Sequence, residues 1–317
     1  MADLTVRGDV RNFLDMLEQM GGKAAHEGTP GEARQAFGML TPLADLPPEE
    51  LAVIADMHCA GPAGRIPLRY YDARAERGDS AVLLFIHGGG FVIGDLDSHH
   101  PFCTSLAKAL DLPVVAVDYR LAPEHSFPAA PDDCEAAARW IASNPEALPF
   151  RPTGLIPCGD SAGGNLAIVT TMALMRQPAK VPVIAQFPIY PVVDSGSDYE
   201  SLRECAEGFL LTGETMAWFG KHYAAEGGHE RNDVLHLSQA GMPPTVIATA
   251  SLDPLRDQGK AYAARLREAG VPVREMMAEG NIHGFISLRK AIPSTQEDVS
   301  KLFGLMKATL ADIGIDR

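Results

Sequence analysis

Nowhere along the chain do apolar residues run for the roughly eighteen positions that a membrane-spanning helix needs, so no membrane span is expected. Cysteine is scarce. The five, Cys59, Cys103, Cys134, Cys158 and Cys205, are widely spaced and form no CxxC pair. That excludes a disulfide framework and a zinc ribbon, and predicts reduced, buried thiols. Cations are in the minority, with 27 Lys+Arg against 41 Asp+Glu and a formal net charge of -14. Such a surface excludes sequence-independent nucleic-acid binding and electrostatic attachment to anionic lipid. The chain has no GxGxxG and no GK[ST], which argues against a dinucleotide or nucleotide-phosphate loop. Internal repeats and low-complexity tracts are missing. The start of the chain, Met1 to Arg7, is polar and lacks an apolar segment, so a signal peptide is not expected and a cytoplasmic protein is.

Apolar residues are plentiful, at 46% of 317 positions, enough for a sizeable core. They fall in short runs. Ile66–Tyr71, Ala81–Ile86, Val114–Val117, Gly154–Cys158, Ile184–Phe187, Thr245–Ala250 and Val273–Met277 read as strands, most of them buried on both faces. Pro101–Leu110, Cys134–Ser143, Asn165–Arg176, Gly259–Ala269 and Gln296–Leu310 read as helices between or after them. This alternation predicts the α/β class, with a mostly parallel central sheet flanked by helices. Two stretches stand outside it. Residues 1–45 are helical in pattern, with Val10, Phe13, Leu14, Leu17 and Met20 on one stripe and a second helix expected from Gly31 to Leu40, ending before Pro42. Residues 194–241 carry no strong strand and are too long for an ordinary connection, so they predict an inserted subdomain, read as a lid. Within it, Thr212 is the expected N-cap of a helix.

The chain is organised around Gly159-Asp160-Ser161-Ala162-Gly163, placed between a strand and a helix. A serine on so tight a turn is pushed out above the sheet, and small residues on either side let strand and helix approach. Three further segments can converge on it. His87-Gly88-Gly89-Gly90-Phe91 follows a buried strand, and its unshielded N–H groups can serve a developing oxyanion or, less well, a phosphate. Asp253 follows the run Thr245–Ala250, at the strand end where parallel sheets bind ligands, with Asp257 as its rival. His283 follows the last strand, and the order Ser161, Asp253, His283 suits nucleophile, acid and base. Asp118-Tyr119-Arg120-Leu121-Ala122-Pro123-Glu124 holds no nucleophile and reads as a polar brace under the site. His99 and His100 are adjacent and lack a thiolate or carboxylate frame, so no metal is expected.

On these five segments, with Gly164-Asn165 after the serine and Asp253-Pro254-Leu255-Arg256-Asp257 around the acid, the chain resembles the hormone-sensitive-lipase-like esterases (bacterial family IV) of the α/β-hydrolase superfamily. Asp160 places the resemblance in the GDSAG branch. The resemblance implies a helical cap formed by residues 1–45 plus 194–241, and a catalytic domain formed by 46–193 plus 242–317. It implies hydrolysis of carboxylic esters with short to medium acyl chains through a Ser161–His283–Asp253 acyl-enzyme mechanism. Gly88, Gly89 and Ala162 are then the oxyanion donors. No cofactor is required, and the partner is a small-molecule ester, with assembly open between monomer and homodimer. From side-chain size alone, Phe91, Phe209, Leu210, Leu211, Trp218 and Phe219 are expected around the substrate. Gln258 departs from the family pattern, where an acid often stands, and is expected to alter only local salt bridging. A catalytically silent receptor and an amide hydrolase are the competing readings.

Overall fold

The computed structural model describes residues 4–315; Met1–Asp3 and the last two residues, which belong to the expected cap and catalytic domain respectively, lie outside the described residues. Eight strands form one sheet: β1 (Val53–Gly61), β2 (Gly64–Asp72), β3 (Ser80–Ile86), β4 (Val114–Val117), β5 (Pro152–Asp160), β6 (Phe187–Ile189), β7 (Thr245–Leu252) and β8 (Val273–Ile282). Their spatial order is β1-β2-β4-β3-β5-β6-β7-β8. Only β1 with β2, and β2 with β4, pair antiparallel; the other neighbours run parallel.

Every residue of β3, β4 and β7 is buried, as expected of strands covered on both faces. On one side, helices α4 (Ala129–Ala142) and α5 (Ala162–Arg176) join a core with Leu84, Ile86, Val115 and Leu155. On the other, α3 (His100–Leu110) and α9 (Thr295–Asp312) join one with Leu83, Phe85, Ile156 and Phe187. The alternation of partners along each strand is the period-2 arrangement that splits one buried strand between two cores. Helix α8 (Arg256–Glu268) packs beside β7 with Tyr262, Ala263 and Leu266. This is the mostly parallel, helix-flanked sheet expected of an α/β-hydrolase.

The local differences from expectation have physical causes. Strand β1 was not legible, because its exposed edge alternates half-buried and exposed residues without a strong apolar run. The strand expected at Ile184–Phe187 forms at Phe187–Ile189; Pro188 is tolerated because a strand of three residues has few ladder bonds to lose. Helix α2 (Pro30–Ala44) continues through Pro42 rather than ending before it. Its start is the stronger signal: Thr29 and Glu32 form a capping box, with Pro30 in the first turn.

Helix α1 (Gly8–Met20) has two jobs. Val10 and Phe13 are buried against Leu252 and Ile282, at the ends of the strands that carry the acid and the base, while Leu14 and Leu17 face a cavity above the sheet. Arg7 ties the same segment to Asp298 of α9 through paired hydrogen bonds. The 194–241 stretch contributes α6 (Glu200–Glu204) and α7 (Gly213–Tyr223), and Thr212 caps α7 by accepting the Thr215 N–H. The N-terminal segment and the inserted segment meet where His26 Nε2 lies 3.0 Å from Glu214 and Nδ1 3.0 Å from Thr215 Oγ1. All five cysteines are free and buried, and burial pushes the Cys59 and Cys205 thiols up to about 11, so they are protonated and unreactive. Among the described residues, no helix is long and apolar enough to cross a membrane.

Candidate active site

Ser161 stands between β5 and α5 with φ 55° and ψ -119°, a conformation that a side chain rarely adopts. The glycines around it are required sterically. A Cβ on Gly163 would come within 2.0 Å of the Ile86 carbonyl oxygen, and one on Gly159 within 2.4 Å of the Gly163 oxygen. The Ser161 N–H donates to Ile189 O, and the Asn165 side-chain amide donates to Val192 O and Asn232 O. The first turn of α5 is thereby fixed to both ends of the inserted segment.

His283 reaches the serine from the loop after β8. Its Nε2 lies 2.8 Å from Ser161 Oγ and its Nδ1 2.7 Å from Asp253 Oδ2. Asp253 is fully buried, and its other oxygen accepts the Leu255 N–H. With an acceptor-only carboxylate at Nδ1, the neutral ring carries its proton there and presents a lone pair to the serine hydroxyl. Tyr190, which the sequence reading did not single out, packs its ring 4.6 Å from the imidazole and limits its rotation. Asp257, the rival acid, points elsewhere. It accepts the Ser201 N–H and pairs with Arg256; burial works against its charge, but these partners hold its carboxyl below the usual range. Gln258 makes no salt bridge. Its buried side-chain oxygen accepts the Val193 and Asp194 N–H groups, fixing the start of the inserted segment.

The glycine loop requires a correction. Gly88 N–H donates to Asp160 Oδ1 at 2.8 Å, so it is not free to meet an oxyanion. Gly88 O is 2.8 Å from His87 Nδ1, which donates to it. A trans peptide points its C=O and N–H in opposite directions, so the Gly89 N–H faces away from His87. Gly89 O in turn accepts from Val92 and Ile93, which turns the Gly90 N–H away from them. Gly89 and Gly90 line the cavity beside Ser161 and His283, whereas Gly88 does not. Among the described residues, neither N–H has a protein acceptor. Ala162 is the first residue of α5, where an N–H has no partner within its own helix.

Beneath this loop lies a buried polar layer. Asp160 also faces His99 Nε2 at 3.3 Å; burial opposes its charge, but His99 and the Gly88 N–H hold the carboxyl below the usual range. His87 stacks on Tyr119 at 4.3 Å, and burial, then His99, pushes it down to about 4, so it is neutral. The 118–124 segment is the expected brace. Tyr119 donates to His87 O, Arg120 binds Asp133, and Glu124 pairs with Arg34 of α2, which also donates to Val92 O and Ala122 O. His100 contacts Tyr71, and among the described residues no cluster of His, Cys, Asp or Glu could hold a metal ion.

Above the serine is a cavity of about 1100 Å³, lined by the N-terminal helices and the inserted segment. Of the side chains expected there, Phe91, Leu210, Leu211 and Phe219 line it. Phe209 and Trp218 do not. Phe209 packs with Val10 and Phe13 at the foot of α1, and Trp218 lies across Phe219 and His222. Leu14, Leu17, Phe37 and Leu40 supply the N-terminal wall; the stripe on α1 was the signal for the first two, and the three-residue spacing of Phe37 and Leu40 could have found the others.

A serine, an imidazole and a buried carboxyl group in hydrogen-bonded sequence can carry out acyl transfer. Residues 83–287 match the alpha/beta hydrolase fold family. The chain is 33% identical to an ethyl acetate hydrolase of Pseudomonas putida over 309 residues, covering 93% of this chain and 96% of that one. It is 34% identical to the carboxylesterase NlhH of Mycobacterium tuberculosis over 252 residues, 77% of this chain and 79% of that one. The ester-hydrolase EH1AB1 from the metagenome of Lake Arreo, in complex with a bipyridine phosphonate derivative, superimposes with a TM-score of 0.90 at 35% identity, over 96% of this chain and 99% of that one. A Pyrobaculum calidifontis esterase does so with a TM-score of 0.87 at 31% identity, over 96% and 98%. With its triad Ser161, His283 and Asp253, the chain belongs to the alpha/beta hydrolase fold family and is a serine carboxylic ester hydrolase related to the bacterial hormone-sensitive-lipase-like carboxylesterases.

Proposed function

We propose that the enzyme cleaves esters of short to medium acyl chains, acetyl to roughly hexanoyl, inside its capped cavity. The observation that carries this reading is a complete triad opening into one largely apolar chamber closed by α1, α2 and α7. Ser161 Oγ attacks the carbonyl carbon while its proton passes to His283 Nε2, and Asp253 stabilises the imidazolium. The tetrahedral oxyanion is met by the N–H groups of Gly89, Gly90 and Ala162, each worth about 3–4 kcal/mol by analogy with other oxyanion donors. His283 then protonates the leaving alcohol, and water repeats the sequence on the acyl-enzyme.

At about 1100 Å³ the chamber is slightly above the usual range for small-molecule sites, about 300–1,000 Å³. It must hold acid and alcohol portions together. Each added methylene contributes about 0.8 kcal/mol while there is apolar room, and costs energy once the wall is reached. Similarity to an ethyl acetate hydrolase supports the short end of the range. The cap is residues 1–45 plus 194–241 and the catalytic domain 46–193 plus 242–317. Asp160, held on Gly88, supports placement in the GDSAG branch. Five unpaired, protonated thiols support a reducing, cytoplasmic location. The test is turnover of p-nitrophenyl esters from acetyl to dodecanoyl, beside one anilide. A maximum at or below hexanoyl is expected. A profile rising steadily to dodecanoyl, with activation at an oil–water interface, would overturn the proposal; comparable turnover of the anilide would favour an amide hydrolase.

A further inference from the structure

Helix α7 does more than close the chamber: we propose that Phe219 and Tyr223 are positioning residues that hold the oxyanion loop in its working shape. The two lie four residues apart, so they share one face of the helix. That face rests on Gly90 and Phe91. A Cβ built on Gly90 would fall 2.2 Å from Phe219 Cγ and within 2.5 Å of both Cδ atoms, so the ring lies directly on the Gly90 backbone. The Phe91 ring stacks on Tyr223 with centroids 3.8 Å apart and planes 6° from parallel.

The loop needs this support. Gly90 and Phe91 are consecutive residues in the left-handed region, at φ 57° and 64°. A bulky residue persists there only where its surroundings over-determine it. Below, Ala122 N–H donates to Phe91 O; above, Phe219 and Tyr223 of α7 cover the two residues. Tyr223 is itself anchored, being buried and offering its carbonyl to the Phe127 N–H. Phe219 is half-buried and borders the chamber, so it transmits the position of the cap to Gly90. Cap closure and completion of the oxyanion hole are then one event. This rests on Gly89 and Gly90 being oxyanion donors.

A residue that only walls the chamber changes selectivity among acyl chains, whereas one that positions the loop lowers kcat for every ester. Phe219→Ala, Phe219→Leu and Tyr223→Leu would be assayed on acetyl, butyryl and hexanoyl esters. A trifluoromethyl ketone reports the hole directly: Ser161 Oγ adds to its carbonyl carbon, the carbonyl electron pair moves to oxygen as an oxyanion, and the serine proton goes to His283. For Phe219→Ala, kcat is expected to fall about 10–100-fold on all three esters with KM within about threefold, and the ketone Ki to rise by the same factor. Phe219→Leu, which keeps apolar cover, should recover most of the loss. Gly90→Ala should be nearly inactive, and Gly90→Ala with Phe219→Ala at least about tenfold better, because removing the ring makes room for the methyl. A loss confined to the hexanoyl ester, an unchanged ketone Ki, or full activity of Gly90→Ala would overturn the proposal. If the ketone fails to inhibit the unmodified enzyme, the oxyanion assignment itself falls and takes the proposal with it.

Discussion

Replacing Gly163 by alanine sets two opposite effects against each other. Gly163 lies in the first turn of α5, where alanine is the better helix former by about 1 kcal/mol. Its added methyl, however, would meet Ile86 O at 2.0 Å and His87 O at 2.5 Å. Both are backbone atoms of the strand end and loop beside the elbow, so neither can rotate away. The helix must shift outward by roughly 1 Å, at an overpacking cost of about 1–3 kcal/mol. The clash outweighs the propensity gain, and a net destabilisation of up to about 2 kcal/mol is expected, lowering Tm by up to about 3 °C in a chain of this length. Activity should suffer more, because the same shift moves Ser161 and Ala162 relative to Gly89 and Gly90; a 1 Å misplacement costs about a hundredfold in rate. Gly304 is the control. It is exposed on α9 with nothing within 4 Å of a built Cβ, so Gly304→Ala should gain about 0.5–1 kcal/mol and leave kcat unchanged. Thermal unfolding and steady-state hydrolysis of p-nitrophenyl butyrate measure both. Wild-type Tm and kcat in Gly163→Ala would refute the reasoning.

Asp253→Asn should lower kcat by about 10⁴-fold through loss of the imidazole's orientation, whereas Asp257→Asn, which touches only Ser201 and Arg256, should cost less than about tenfold; kinetics on both variants would expose the reverse assignment. Acid should destabilise the fold through His87. Its folded value of about 4 lies below the ordinary value of about 6.5, so the unfolded chain takes up a proton that the folded chain refuses. The stabilisation is complete above about pH 6.5, reduced by about 2 kcal/mol at pH 5 and lost near pH 4. Urea midpoints at pH 7 and pH 5 should therefore differ less in His87→Gln than in wild type, and equal differences would exclude this source.

The nucleophile, acid and base were legible because each sits at a strand end, where a short apolar run and a following turn are local signals. The proposed oxyanion donors, Gly89 and Gly90, differ by one residue from the pair read in the sequence. Three consecutive glycines look alike in sequence, and the choice among them depends on which peptide plane faces Asp160 and which faces the chamber. That orientation comes from groups far along the chain. The same holds for Phe209 and Trp218, whose size marked them as chamber residues. Helical phase on the inserted segment turns Phe219 inward and Trp218 sideways, while Phe209 finds a partner in α1.

Helix α1 has a consequence for the order in which the enzyme is made. It is translated long before its partners: Val10 and Phe13 are buried against Leu252 and Ile282, and Arg7 is bound to Asp298 across 291 positions. Until position 282 has been translated, that apolar stripe lacks the surface it settles on. A nascent chain therefore carries its serine long before the base at position 283 exists, and the N-terminal helix docks among the last steps. Hydrolytic capacity is acquired only after position 283 has been translated, with segments far apart in the sequence joined over the site.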